Sequence, residues 1–406
     1  MQFDPGSSIG GSSIGSMSIG RKDSVVIHPD VAQVRLAAGE LAAKLRSRGA
    51  EIEQAGTLPA DVVADLHDCG IFRLWLPVEL GGFEAAPADV LTIIQTLAEA
   101  DGSTGWCAAT GVAGNVAGAQ LSRDTAREIY PTGSELCGGA LMPGGRAVSR
   151  PGGFEVDGRW SFGSGIRHCD WIVGGALVED AGGGPPSARA ILMPRASVEL
   201  LDTWQVVGLS GTGSVDYQVR GLYVPERHTI ELAALNPWPA GAMWRIPLRS
   251  LLYPILAAVP LGLARRAIAE LTELAGERAR FGSSRRLADR DVVQATIGQA
   301  QALTDAGAAY LSAGLQRLRQ VADSGRVPGP MERAGARLAA VHATEQATRA
   351  VELCFRASGT AAIYQSSALQ RVLRDVNTAG QHYALSTQGY ELTGRVLLGF
   401  EPDPML

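Results

Sequence analysis

Phe154-Glu155-Val156-Asp157-Gly158-Arg159-Trp160-Ser161-Phe162 alternates apolar and polar residues. A period of two is the mark of a strand with one buried face, and Asp157-Gly158 inside it reads as a hairpin turn. Pro151-Gly152-Gly153, Gly182 to Pro186 and Gly211 to Gly213 punctuate further runs at Trp171–Val178, Arg189–Met193 and Val215–Val224. Short strands joined by Gly-rich turns predict a small antiparallel barrel or sandwich over residues 138–232.

On both sides the period lengthens to that of a helix. Val34, Ala38, Leu41 and Leu45 form one stripe ending at Gly49, and a second helix opens at Pro59 and closes at Gly70. A third opens at Pro87, and a small-residue helix follows from Trp106 to Gln120. Residues 23–137 therefore read as an N-terminal helical domain. Residues 233–406 read as a C-terminal bundle, with long segments near 260–280, 288–322, 330–357 and 366–399. Residues 1–22 repeat Gly-Ser-Ser-Ile-Gly and read as a disordered linker or tag. The fold class is α+β: helical domain, β domain, four-helix bundle.

The 406 residues carry 36 Lys+Arg, 41 Asp+Glu and 46% hydrophobic side chains, for a net charge of -5. Such a balance excludes a disordered polymer and disfavours a nucleic-acid or anionic-membrane partner. The 50 glycines admit two readings, low complexity or backbone positions that exclude a Cβ. Five scattered cysteines without a Cys-x-x-Cys pair give neither a disulfide framework nor a zinc site. The apolar run Leu251 to Ala264, broken by Pro254 and Pro260, is too short for a membrane span. A cytoplasmic protein without a metal is expected. Only Lys22 and Lys44 are present, neither in a phosphate-loop context, and Gly211-Thr212-Gly213 lacks the third glycine of a dinucleotide fingerprint. Phe162-Gly163-Ser164-Gly165 has Phe where a nucleophile elbow needs its first Gly.

Leu80-Gly-Gly-Phe83 and Glu99-Ala-Asp-Gly-Ser-Thr-Gly-Trp106 resemble the N-terminal domain of the acyl-CoA dehydrogenase superfamily. Gly139-Ala-Leu-Met-Pro143, Trp160-Ser-Phe-Gly-Ser-Gly165, Asp170-Trp171, Trp204 to Ser214 and Val224-Pro225 resemble its β domain. Leu369-Gln-Arg371, Arg374-Asp375, His382 and Gly394-Arg395 complete the likeness over residues 28–400. The dehydrogenases of that superfamily carry a glutamate base after the Arg-Asp pair, where this chain has Gln381-His382-Tyr383. Tyr390-Glu391 lies some two helical turns beyond, too far along a helix to reach the same carbon. The pattern is instead similar to the two-component flavin-dependent monooxygenases of this fold, and among them to actinorhodin-type hydroxylases of aromatic polyketides.

That resemblance implies FMNH2 or FADH2 supplied by a separate flavin reductase, O2 as co-substrate, and a C4a-hydroperoxyflavin that hydroxylates an aromatic, polycyclic substrate. It also implies a homotetramer. The alternatives are N- or S-oxygenation on the same fold, an FAD-dependent acyl-CoA dehydrogenase, or a binding protein without flavin. The resemblance assigns catalysis to His382 and Ser164, the serine as a hydroxyl donor near the flavin and the histidine as donor or base. It assigns flavin binding to Trp106, Leu141, Met142, Ser164, Trp204, Thr212, Arg278, Arg280, Gly359 and Arg371.

Overall fold

A computed structural model describes residues 30–179, 186–233, 235–277 and 285–403. Seven helices come first: α1 Val31–Leu45, α2 Gly49–Ala55, α3 Ala60–Asp68, α4 Pro87–Ala100, α5 Gly102–Gly114, α6 Ala117–Gln120 and α7 Arg123–Ile129. The expected stripe of α1 is its buried face: Val34, Ala38, Leu41 and Leu45. Gly49 opens α2 rather than closing α1, because the Arg371 guanidinium lies where its Cβ would sit, at 2.8 Å.

Seven strands follow: β1 Cys137–Arg150, β2 Gly153–Gly163, β3 Trp171–Glu179, β4 Ser187–Pro194, β5 Glu199–Leu201, β6 Val215–Pro225 and β7 Thr229–Glu231. They form one sheet in the order β5-β6-β2-β1-β3-β4-β7. Every neighbouring pair is antiparallel except β1 and β3, which run parallel, so the expected all-antiparallel arrangement holds everywhere but at its centre. Asp157-Gly158 is not a turn. Strand β2 runs straight through it, and the β1–β2 reversal falls at Pro151-Gly152 instead. Gly158 is there for packing: a Cβ would lie 2.5 Å from the Trp160 ring, and at Gly174 of β3 a Cβ would lie 2.6 Å from the same ring. The indole of Trp160 thus lies across the sheet, donating to the Gly175 carbonyl at 2.7 Å and stacking on Tyr217 of β6 at 5.3 Å.

Five helices complete the chain: α8 Leu248–Glu277, α9 Asp291–Asp323, α10 Pro330–Ala357, α11 Ala368–Gly380 and α12 Gln388–Leu397. Helix α8 passes through Pro254 and Pro260, and packing overrides the lost hydrogen bonds. It is long and apolar enough to cross a membrane, which corrects the sequence expectation about this run, but 83% of its most apolar window is buried within the protein. The final helix expected over 366–399 is two helices, broken across residues 381–387.

Candidate active site

The three parts of the chain converge on a short chain of hydroxyl groups. Helix α5 begins at buried Asp101, whose carboxylate accepts from the Thr104 amide and hydroxyl, both at 2.7 Å. This N-cap fixes the helix that presents Trp106. The Trp106 Nε1–H donates to Ser164 Oγ at 3.1 Å. Ser164 lies 2.7 Å from Ser214 Oγ, Ser214 lies 2.7 Å from Thr212 Oγ1, and Thr212 donates to the Leu209 carbonyl at 2.7 Å.

The end of that chain sets the direction of every proton in it. A hydroxyl has one hydrogen to give. Thr212 spends its own on Leu209, so Ser214 donates to Thr212, and Ser164 donates to Ser214. Ser164 already receives the indole N–H. It is left with one free lone pair and no free proton, so it faces a ligand as an acceptor. The sequence expectation cast it as a donor, and the network reverses that role.

Backbone strain surrounds this cluster. Among the described residues, three non-glycine residues have positive φ, and two of them are Phe162 (φ 66) and Leu209 (φ 51). Strain of this kind costs on the order of 1 kcal/mol and persists where the surroundings enforce it. The enforcement is visible. The Gly165 amide donates to the Thr212 carbonyl at 2.9 Å, and the Leu209 amide donates to Asp375 at 2.6 Å. The loop carrying Trp204 to Ser214 is wedged between two helices: a Cβ on Gly208 would meet the Arg374 carbonyl of α11 at 2.4 Å, and one on Gly211 would meet Ile52 of α2 at 2.3 Å. Trp204 donates to the same Leu209 carbonyl at 3.3 Å and meets exposed Phe162 edge-on at 6.3 Å.

His382 closes the group from the bundle side. It lies in the break between α11 and α12, its ring 5.4 Å from that of Trp106. Its Nδ1 accepts the Ala384 amide at 3.1 Å. Burial, helped by the Arg337 charge, pushes its pKa down to about 4. The ring is therefore neutral at physiological pH with its proton on Nε2. Neither nitrogen has a free lone pair, so in this arrangement His382 presents a hydrogen-bond donor at Nε2.

Trp106, Ser164, Trp204, Thr212 and His382 thus lie in one contact group. The rest of the expected set does not join this contact group. Leu141 and Met142 lie on an irregular stretch of β1, where the register against β3 shifts between Ala140 and Pro143, and Met142 is exposed. Arg371 lines a separate small cavity with Asp101, Asp375 and Arg266. Gly359 is an exposed turn glycine (φ 58) with no neighbour about its Cβ position. Arg278 and Arg280 lie outside the described residues. Sequence reasoning passed over Leu209 and Asp375 as site-forming residues. The signal was present in Val207-Gly208-Leu209, a loop that only a close helix contact requires, and in the Arg374-Asp375 pair.

Could a flavin be held here? A Gly-flanked turn offers one acceptor atom, an indole wall stands beside it, and exposed Phe162 and Val207 on the adjoining segments add apolar surface. A polar edge beside apolar faces fits a flat ring system with polar atoms along one edge.

Fold and site together define a flavoprotein of the acyl-CoA dehydrogenase architecture. The acyl-CoA dehydrogenase N-terminal domain family matches residues 30–128, and the corresponding C-terminal domain family matches residues 254–387. The chain is 30% identical over 361 residues to an indole-3-acetate monooxygenase of Pseudomonas putida, covering 88% of this chain and 92% of that one. It is 30% identical over 389 residues to the flavin-dependent monooxygenase oxygenase subunit HsaA of Mycobacterium tuberculosis, covering 92% and 97%. The crystal structure of HsaA superposes with a TM-score of 0.87 over 93% of this chain and all of that one, at 27% identity. XiaF from Streptomyces sp., solved with FADH2 and glycerol, superposes at 0.86 over 93% and 98%, at 26% identity. The chain belongs to the flavin-dependent monooxygenases of the acyl-CoA dehydrogenase fold.

Proposed function

We propose that this protein is the oxygenase component of a two-component system that hydroxylates an aromatic substrate. It takes FMNH2 or FADH2 from a separate flavin reductase and consumes O2. Reduced flavin, when bound, supplies the electrons that activate O2; everything else falls to the chain's own residues.

The observation that carries this reading is the proton order in Trp106–Ser164–Ser214–Thr212–Leu209. A reduced isoalloxazine has an N–H at N5, whereas the oxidised ring has a bare acceptor nitrogen. Ser164 offers an acceptor, which pairs with the reduced ring and opposes the oxidised one. Buried Trp106 and half-buried Trp204 form the apolar wall beside it. His382, neutral and protonated at Nε2, supplies a hydrogen bond without adding charge. Ser164 and His382 are the residues proposed to act on the oxygen-transferring flavin; Trp106, Trp204 and Thr212 shape its site. Leu141, Met142, Arg278, Arg280, Arg371 and Gly359 are carried forward as flavin contacts on the family likeness alone, some of them across a subunit boundary.

An aromatic substrate is supported by the relatives. These include the oxygenase component of an FADH2-dependent resorcinol hydroxylase of Rhizobium sp., 27% identical over 393 residues. The polycyclic class, the cytoplasmic location and the homotetramer belong to the same proposal. Exposed Ile363, Tyr364, Leu397, Leu398 and Phe400 provide apolar surface for association.

The test is an anaerobic titration with reduced and with oxidised FMN and FAD, followed by mixing with 18O2 and a panel of mono- to polycyclic phenols. Reduced flavin is expected to bind at least tenfold tighter than oxidised flavin, with one 18O atom in the product. Equal affinity for the two redox states refutes the proton-order argument. Dehydrogenation of an acyl-CoA without 18O uptake refutes the function.

A further inference from the structure

Arg337 of α10 is among the largest fully buried side chains, 1% exposed. Its Nη2 donates to the Tyr383 carbonyl, but Nε and Nη1 are buried with no hydrogen-bond acceptor among the described residues. Its guanidinium lies 4.1 Å from the centre of the Tyr253 ring, which in turn meets Tyr383 edge-on at 6.2 Å. No carboxylate pairs with it among the described residues. A buried cation without a counter-charge costs several kcal/mol. Gly389 at the start of α12 lets that helix approach: a Cβ there would lie 2.5 Å from the Val341 side chain and 3.0 Å from Arg337 Nε. A cavity-filling Leu or Met would be more stable there, so the charge itself needs a reason.

The reason lies one residue from its hydrogen bond. The Tyr383 carbonyl that Arg337 holds is part of the turn presenting His382, whose ring packs on Tyr383 at 4.6 Å. We propose that Arg337 is a positioning residue for His382: its hydrogen bond to the Tyr383 carbonyl ties down the 382–384 turn, and its charge adds to burial in opposing an imidazolium there, while the Ala384 amide holds the proton on Nε2. Protonating His382 would place two cations together beneath a low-dielectric surface. The same charge would oppose any route that leaves an imidazolium, so proton abstraction by His382 is disfavoured at this site.

The other titratable groups around the turn do not change the sign. Tyr383 and Tyr253 are pushed further from ionisation by burial, and Arg249 adds a second positive influence on both. Asp403 acts on Tyr253. No carboxylate counts among the influences on His382.

This inference rests on the oxygenase reading for its consequence but not for its test. The His382 imidazole is followed by NMR of the histidine-labelled protein, with His382→Gln supplying the assignment. In the wild type, titration is expected near pH 4; a midpoint at or above 6 overturns the proposal. Arg337→Gln keeps a donor for the Tyr383 carbonyl and removes the charge, and is expected to raise the midpoint by one unit or more. Arg337→Lys keeps the charge and is expected to restore most of the wild-type midpoint. An unchanged midpoint in folded Arg337→Gln also overturns the proposal. Should Arg337→Gln fail to fold, the wild-type and Arg337→Lys midpoints decide. In turnover, Arg337→Gln is expected to lose product per flavin oxidised below pH 6, with reduced-flavin affinity unchanged within about twofold. If the midpoint moves but no substrate is hydroxylated by any variant, the oxygenase reading fails while the positioning role stands.

Discussion

Asp375 gives the most direct measure of how the candidate site is held. It is 4% exposed, and its Oδ1 accepts the amide of Leu209, the strained residue that ends the hydroxyl chain. Burial pushes its pKa up to about 7; the Leu209 amide and the Arg371 charge oppose the shift, while the charge of Asp101 reinforces it. A carboxyl raised in the folded state binds its proton there when the unfolded chain has lost it. Folding stability from this group is therefore fully present below the unfolded value of about 3.9 and is lost as pH rises through 7. Integrated over that window the loss is about 4 kcal/mol, of which about 2.5 kcal/mol falls between pH 5 and pH 8. Asp375→Asn keeps an oxygen for the Leu209 amide and cannot ionise. Its stability relative to wild type is thus expected to improve by about 2 to 3 kcal/mol between pH 5 and pH 8, whatever constant offset the substitution brings. Urea unfolding at both pH values, at one fixed protein concentration, measures the change, since the concentration of an associating chain shifts its apparent stability. Asp101→Asn in the same comparison reports the neighbouring carboxyl, which burial also raises. If the gap between Asp375→Asn and wild type stays constant, Asp375 is ionised in the folded protein and Arg371 has outweighed burial.

Ser164→Ala removes the acceptor between Trp106 and Ser214. The flavin is expected to return to its oxidised spectrum roughly tenfold faster after mixing with O2 in the absence of substrate, a loss of about 1 to 2 kcal/mol as for one hydrogen bond. Stopped-flow absorbance reads it. His382→Gln retains an N–H donor and is expected to keep more product per flavin than His382→Ala. In the wild type that yield is expected to be flat between pH 5 and 9, because the ring already lacks a charge above about 4. Gly208→Ala forces a methyl against the Arg374 carbonyl, and a loss of about 3 kcal/mol is expected in thermal or urea unfolding. The same change is expected to lower reduced-flavin affinity by displacing Trp204.

The sequence showed its architecture because its periods change cleanly at the domain edges. The α1 stripe, Pro87 and the alternation around Trp160 all correspond to buried faces and real element starts. What it concealed was long-range contact. Asp157-Gly158 looks like a turn because the dipeptide has turn chemistry, yet its glycine answers to a tryptophan two residues away. Gly208 and Gly211 look like sharp-turn positions beside a cofactor; they are points where a loop is squeezed between α2 and α11. The break at residues 381–387 is equally invisible locally, since the side chains on either side keep a helical spacing. Trp106, Ser164 and His382 were legible as a set only through resemblance, for they are separated by 58 and 218 positions in the chain.

The break also replaces the reason for setting the dehydrogenase reading aside. Distance along one helix no longer applies, because α11 and α12 are separate. The stronger argument is electrostatic. Glu391 is exposed on α12, outside the contact group of Trp106, Ser164 and His382. The buried carboxyls nearest the site, Asp101 and Asp375, are already committed to the Thr104 and Leu209 amides. At the position between the helices stands an imidazole whose Nδ1 is engaged and whose charging is opposed by Arg337. A base that removes a carbon-bound proton must have a lone pair and tolerate the charge change that follows. None of these groups meets both requirements. The role proposed for His382, a donor that stays uncharged while oxygen is transferred, asks only for the Nε2–H that this ring presents, and the buried Arg337 beside the turn is in keeping with it.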